Sequence, residues 1–173
     1  TMLDLLKDAG KDVIAVGKIF DIFDGEGVTE KIKTTGNTNG IAFTKALQTR
    51  DFEGLAFVNL VDFDMLYGHR RDVAGYAAAA TEFDKFVADF IPGMREGDIL
   101  MVTADHGCDP SYTKTTDHTR EYVPYLIYGK GIKPGVDLGT HLCFGTIAQT
   151  ICEYLGVDAS SLDGKSVWNE IKA

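Results

Sequence analysis

The chain is short of positive charge: 17 lysines and arginines face 26 aspartates and glutamates, and the net charge is −9 at pH 7. The acidic residues are spread over the whole length. Domains that bind nucleic acid carry a basic patch or stripe, so this balance argues against a nucleic-acid partner. It leaves phosphorylated substrates open, because bound metal ions can supply the positive field that a phosphate needs.

Cysteine is also scarce, and Cys108, Cys143 and Cys152 are odd in number and lack C-x-x-C spacing. The sequence therefore predicts neither a disulfide framework nor a zinc ribbon, and a reducing, cytoplasmic setting fits it best. We find neither a signal peptide nor an apolar run long enough to span a membrane, and we expect no membrane partner.

At 173 residues and 45% hydrophobic, the chain suits one globular α/β domain with its own core. Strands are predicted at four mainly apolar runs, residues 12–16, 55–61, 98–102 and 122–128. Helices are predicted at residues 2–9, 39–47, 73–91 and 144–155, with Asn39 as the cap of the second. This alternation is typical of a mostly parallel sheet sandwiched by helices.

The long helix is predicted to bury one face, because its apolar residues step by four, three, four and three positions. The residues of that face are Tyr76, Ala80, Phe83, Val87 and Phe90.

Carboxylates and imidazoles gather in three short segments that follow predicted strands. The segments are VDFDMLYGH (61–69), VTADHG (102–107) and TDHTR (116–120). Their candidate ligands are Asp64, His69, Asp105, His106 and His118, which include three of the four histidines of the chain. Such side chains at the carboxyl ends of strands suit a divalent metal ion in an open α/β sheet. We therefore predict a metal site.

A structural alternative exists for the first segment. Asp62 and Asp64 could cap the turn after the strand, while His69 covers the start of a helix. The pair Asp105 and His106, followed by glycine directly after a buried strand, has fewer structural explanations. We expect this pair to lie past the strand, outside any regular ladder, since neighbouring strand residues face opposite ways.

The segment TADHG (103–107) resembles the metal motif of the alkaline phosphatase superfamily, which includes cofactor-independent phosphoglycerate mutases and phosphopentomutases. The segments GKIFDIF (17–23), DFDMLYGHRRD (62–72) and TDHTREYVP (116–124) are similar to phosphopentomutases in particular. The matches run in the family's order from about residue 16 to residue 124.

The resemblance implies an alkaline phosphatase-like core that holds two neighbouring divalent ions, usually Mn²⁺. It implies that Asp64, His69 and His118 bind one ion, and that Asp105 and His106 form part of the shell of the second. The family adds an aspartate from an earlier strand, a phosphorylated threonine and a cap domain, and none of these has a counterpart here. Residues 1–173 would then be the C-terminal portion of an incomplete catalytic core, and inactive alone.

The implied reaction interconverts ribose 1-phosphate and ribose 5-phosphate, or the deoxyribose pair, with a bisphosphorylated sugar as activator. Lys18, Arg70 and Arg71 are candidates to contact the phosphorylated pentose, although Lys18 could solvate a loop and the arginines could pair with Asp72 or another acid. Two alternatives stay open: a phosphoglycerate mutase or phosphatase of the same superfamily, and an inert metal-binding fragment.

Cys108 and His141 are among the positions that depart from the family's pattern. Cys108 stands where asparagine is common, which would weaken hydrogen bonding around the metal ligands. His141 stands where the family often has arginine, and we expect it to be packed or exposed and not a ligand.

Overall fold

The computed structural model describes residues 1–173 without a gap. The chain forms two compact units. Unit 1 comprises residues 1–33, 50–58 and 131–173, and unit 2 comprises residues 34–49 and 59–130. None of the helices combines the length and the apolar character that crossing a membrane requires.

Unit 1 is built on a parallel sheet. Its helices are α1 (Met2–Asp8), α2 (Ile19–Ile22), α5 (Gly145–Tyr154) and α6 (Trp168–Ile171), and its strands are β1 (Asp12–Val16), β2 (Glu30–Ile32) and β3 (Gly54–Val58). The strand order is β2-β1-β3, and both pairings are parallel. Residues 13–16 of the central strand β1 are at most 1% exposed, because a strand between two others in a covered sheet is apolar on both faces.

The core of unit 1 is one apolar cluster around β1. Leu3 and Leu6 of α1 pack with Val13 and Ala15, and Cys152 of α5 joins them. All five side chains are at most 1% exposed.

Unit 2 consists of two layers. Its elements are α3 (Asn37–Leu47), a π-helix (Phe63–Gly68), α4 (Val73–Phe90), a 3₁₀ turn (Ile91–Gly93), β4 (Ile99–Thr103) and β5 (Tyr125–Gly129). The two strands pair antiparallel, with Met101 opposite Ile127. Phe83 and Val87 of α4 line an open apolar groove of about 400 Å³ together with residues of both strands. Leu126 on β5 is 62% exposed, so one face of this sheet lacks an apolar cover within unit 2.

The predicted α/β class with a parallel sheet and helices is confirmed, but several element boundaries differ. The strand predicted to start at residue 122 starts at Tyr125, directly after Pro124, which has no N–H for a ladder. Strand β2 was not predicted, because its three residues include two charged ones. Helix α6 was missed as well, since four residues give no periodicity.

Two predictions about helices were wrong in detail. Helix α3 starts at Asn37, and Asn39 lies inside it with its side-chain oxygen accepting from the backbone N–H of Thr35 at 3.2 Å. On α4 the buried residues are Ala79 and Phe86, whereas Ala80 is exposed. A face wide enough to meet its neighbours includes these flanking positions, which a single file of apolar residues does not reveal.

The thiols of unit 1 differ in burial, and this difference is testable. Cys152 is fully buried, and burial raises the pKa of its thiol, whereas Cys143 is exposed. Because the thiolate is the reactive form and must be reached by the reagent, iodoacetamide is expected to modify Cys143 in the native protein and Cys152 only after unfolding in urea. Mass spectrometry of the labelled peptides measures this. Equal native labelling of both cysteines would contradict the core described above.

Candidate metal centre

The first two candidate ligands are positioned by the π-helix. Asp64 lies in its first turn and His69 caps its end, and the backbone N–H of His69 donates to the Asp64 carbonyl at 2.9 Å. Phe63 anchors the segment on α4 through an edge-on contact with Tyr76, with ring centroids 5.3 Å apart. Single π-turns are rare overall, and those that occur are often found at functional sites.

The two aspartates of this segment have different roles. Asp62 Oδ2 accepts the backbone N–H of Asn37 at 2.6 Å, and Asn37 Oδ1 accepts the backbone N–H of Asp62 at 2.9 Å. A side chain at Gly36 would put its Cβ 2.8 Å from Asp62 Oδ2, so the glycine permits this approach. Asp62 therefore holds the start of α3, and the capping alternative applies to Asp62 and not to Asp64.

The remaining ligands lie on the long connection between β4 and β5. Asp105 and His106 come after the end of β4, outside the ladder, as expected. The connection folds back on itself, and the backbone N–H of Thr119 donates to the Gly107 carbonyl at 3.1 Å. A Cβ at Gly107 would lie 2.7 Å from the Thr119 carbonyl oxygen, so only glycine allows this approach, which brings His118 to His106.

Four of the five predicted side chains meet within unit 2. His69 Nε2 lies 3.3 Å from Asp64 Oδ2, and His118 Nε2 lies 3.4 Å from Asp64 Oδ1. Asp64, His106 and His118 each offer a ligand atom, and these atoms all lie within 4.8 Å of one another. Asp105 is more peripheral, with its side chain 74% exposed and its Oδ1 3.6 Å from His106 Nε2.

Asp64 carries the clearest electrostatic signal of the centre. Its Oδ1 is buried and has no hydrogen-bond donor. Almost all buried side-chain oxygens in folded proteins have a partner, and a carboxylate oxygen without one suits a cation. The donor set of carboxylate and imidazole matches the ligands of divalent transition metals. The residues present therefore fit a metal ion.

Hydrogen bonds to backbone carbonyls orient two of the imidazoles in a way that favours metal binding. Nδ1 of His69 is hydrogen-bonded to the Thr116 carbonyl, and Nδ1 of His106 is 3.1 Å from the Gly107 carbonyl. A carbonyl can only accept, so Nδ1 is the donor in both rings, and Nε2 is the nitrogen left to face a ligand. This is the arrangement of most metal-binding histidines.

Two of the candidate ligand histidines stack on each other. The rings of His106 and His118 have centroids 3.6 Å apart and planes inclined by only 15°. An imidazole nitrogen binds an ion that lies in the plane of its own ring, so two nearly parallel stacked rings cannot both make good bonds to one ion. Their spacing is close to the ~3.5–4 Å between ions in two-metal sites. The ligand atoms of both rings lie within 4.8 Å of one another and of Asp64.

Arg71, a predicted phosphate contact, bonds to backbone carbonyls in the structure. Its guanidinium donates to backbone carbonyls throughout, including those of Thr115 and Asp117. It does not pair with Asp72, which caps α4 by accepting from the backbone N–H of Gly75 at 2.9 Å. The sequence offered no signal for this role, because the carbonyl acceptors belong to the backbone of a distant loop.

The other predicted residues are more peripheral. Arg70 is exposed on unit 2, and Lys18 is exposed at the end of β1 on unit 1. His141, which was predicted to be either packed or exposed, is exposed, and its Nε2 lies 3.0 Å from the Leu138 carbonyl oxygen. Cys108 is partly buried, and burial raises the pKa of its thiol, so it offers no charge to the ligands beside it.

Comparison with known proteins identifies the family of the chain. Residues 7–159 match the model of the metalloenzyme superfamily. The chain is 52% identical over 171 residues to the phosphopentomutase of Acetivibrio thermocellus and 55% identical over 170 residues to that of Lachnoclostridium phytofermentans. These alignments cover 99% and 98% of the chain but only 44% and 43% of the relatives. The chain thus spans less than half the length of the curated relatives it matches.

A solved structure agrees at the level of the fold. Crystal structures of Leishmania mexicana phosphoglycerate mutase at low cobalt concentration include a chain with a TM-score of 0.73 to this one. The match covers 95% of this chain and 38% of the other, at 17% sequence identity. At that identity the likeness shows the shared fold alone.

The different roles of the two aspartates are testable in the product of the complete gene, without metal, in EDTA at pH 8. Asp62→Ala is expected to lower the free energy of unfolding by roughly 1–3 kcal/mol, because it leaves the buried amide of Asn37 unpaired. Asp64→Ala is expected to leave that free energy unchanged or to raise it, because it removes a buried oxygen that has no donor. Urea unfolding followed by circular dichroism measures both. A loss for Asp64→Ala as large as for Asp62→Ala would make Asp64 a structural residue.

Proposed function

The chain belongs to the metalloenzyme superfamily, and we propose on that basis that it is the metal-binding part of a phosphopentomutase. The complete enzyme would interconvert ribose 1-phosphate and ribose 5-phosphate, and the corresponding deoxyribose phosphates. The observation that carries the proposal is the identity of 52–55% to phosphopentomutases over nearly the whole chain. The convergence of Asp64, His69, His106 and His118 on one centre in unit 2 supports it.

We assign two divalent ions to this centre and propose that both are Mn²⁺. Asp64, His69 and His118 would hold one ion, and Asp105 and His106 would contribute to the second. The near-parallel rings of His106 and His118 support this division. The donorless Oδ1 of Asp64, 3.4 Å from His118 Nε2, supports the first site.

When bound, the ions would supply the positive charge that aligns and neutralises a phosphoryl group during transfer. The residues of the chain contribute by holding the metal ligands in position. The carbonyls of Thr116 and Gly107 keep the tautomers of His69 and His106 fixed. The chain itself carries a net charge of −9 and would otherwise repel a sugar phosphate.

The phosphoryl group would be carried between sugars by a threonine outside residues 1–173, primed by a bisphosphorylated sugar. Thr119, beside His118, does not fit that role. Its hydroxyl donates to the Glu121 carboxylate and accepts the backbone N–H of Asp109 at 2.6 Å. The exposed Lys18 and Arg70 remain candidates to contact the substrate phosphate.

The remaining part of the polypeptide would be the partner of unit 2. The curated relatives are more than twice as long as the matched segment, and the apolar groove beside Phe83 leaves Leu126 largely exposed. Covering about 400 Å³ of apolar groove with further strands or helices would remove that surface from water, which is favourable.

The three unpaired cysteines are consistent with a location in the reducing cytoplasm.

The activity is tested by comparing the 173-residue chain with the product of the complete gene. Each is mixed with ribose 1-phosphate, Mn²⁺ and ribose 1,5-bisphosphate, and formation of ribose 5-phosphate is followed by phosphorus NMR. The complete product is expected to be active, and the chain alone to be inactive for want of the threonine. Conversion of 3-phosphoglycerate to 2-phosphoglycerate instead would support the glycerate enzyme. Hydrolysis to free phosphate would support a phosphatase, and inactivity of both proteins would support an inert metal-binding protein.

The two-ion assignment makes a separate prediction for the complete gene product. His106→Ala and His118→Ala are each expected to lower the Mn²⁺ content after dialysis from two ions to about one, because each imidazole serves a different ion. Elemental analysis by plasma mass spectrometry measures the content, and His141→Ala, at an exposed histidine of unit 1, is the matched control. A wild-type content of one ion, lost in both variants, would replace the assignment with a single shared ion.

A further inference from the structure

Arg71 uses every hydrogen-bond donor it has on the backbone of unit 2. Nε donates to the Thr115 carbonyl at 2.8 Å, and Nη2 donates to the same carbonyl at 2.6 Å and to the Asp117 carbonyl. Nη1 donates to the carbonyls of Gly68 and Asp109 at 3.2 and 3.1 Å. A guanidinium has five N–H groups, and all five are engaged. None is left for a phosphate.

The acceptors belong to the two segments that carry His69 and His118. The carbonyl of Gly68 directly precedes His69, and that of Asp117 directly precedes His118. Thr115 and Asp117 flank Thr116, whose carbonyl holds Nδ1 of His69. The guanidinium therefore ties the connection between β4 and β5, which carries His118, to the end of the π-helix.

The backbone of Arg71 is held in a conformation that arginine avoids. Its φ is +56°, in the left-handed region that costs a side-chain-bearing residue roughly 1–2 kcal/mol. Such a conformation persists only where the surroundings over-determine it. Five hydrogen bonds to fixed carbonyls provide that constraint. Arg70, the preceding residue, is exposed and contrasts with it.

We propose that Arg71 is a positioning residue, which fixes the 109–117 connection so that His118 faces the metal ion beside Asp64. This inference rests on the proposed metal site. Lysine cannot replace arginine here, because an ammonium group has three donors and no planar fork. Removal of the guanidinium would release the connection, and His118 would no longer be held 3.4 Å from Asp64 Oδ1.

The test uses four variants of the complete gene product: Arg71→Lys, the neighbouring control Arg70→Lys, His118→Ala, and the double variant Arg71→Lys/His118→Ala. The dissociation constant of Mn²⁺ is measured by titration with electron paramagnetic resonance, and pulsed resonance counts the imidazole nitrogens on the ion. Arg71→Lys is expected to raise the dissociation constant by roughly 10–100-fold and to remove one nitrogen. Arg70→Lys is expected to leave both unchanged.

The double variant separates positioning from general destabilisation. If Arg71 acts through His118, Arg71→Lys changes the dissociation constant by less than about threefold once His118 is absent, because the two residues are coupled. An undiminished effect in the double variant overturns the inference. If Arg71→Lys fails to fold, Arg71→Gly takes its place in the same cycle, since glycine adopts positive φ without strain.

The His118→Ala variant tells this inference apart from the metal site on which it rests. An unchanged dissociation constant in His118→Ala overturns the metal assignment itself. A weakened His118→Ala together with an unaffected Arg71→Lys leaves the metal site intact and overturns the role of Arg71 alone.

Discussion

The candidate centre depends on one buried carboxylate oxygen, Oδ1 of Asp64, which no hydrogen-bond donor reaches. A buried polar atom without a partner costs roughly 1–3 kcal/mol, and more when the group is charged. A folded chain keeps such a group when something outside the chain compensates it. The imidazoles of His69, His106 and His118 surround Asp64 with nitrogen ligand atoms, and a cation is the partner that such a donor set accepts.

The second constraint is chain closure. Asp64 and His118 are separated by 54 positions, and neither segment around them belongs to a β-ladder. Closing a loop of that length costs conformational entropy, and regular structure contributes little here to meet it. Contacts to backbone carbonyls do so instead: the Gly107–Thr119 bridge closes the connection on itself, and Arg71 ties it to the π-helix. The ligands are thus held by contacts to backbone carbonyls in addition to the packing of Phe63 on α4.

The sequence located the centre because its signals are local. Apolar runs predict the strands, and the clusters of aspartate and histidine after them include the side chains that meet in unit 2. The sequence could not distinguish the role of Asp62 from that of Asp64. The difference depends on Asn37, 25 positions before Asp62, which binds Asp62 and not Asp64. The same limit applies to Phe86, whose burial depends on neighbours that α4 meets only in the folded unit.

The case of Arg71 shows a contact that residue type did not predict. A pair of arginines beside a metal motif indicates phosphate binding, because guanidinium groups suit phosphate oxygens in solution and in most sites. A backbone carbonyl is a weaker acceptor than a phosphate. Four carbonyls held at fixed positions nevertheless accept hydrogen bonds from all five donors of Arg71. These bonds are present before substrate binds, so the side chain loses no further conformational freedom at that step. Metal ions would then supply the positive charge at this centre that the engaged guanidinium of Arg71 does not offer.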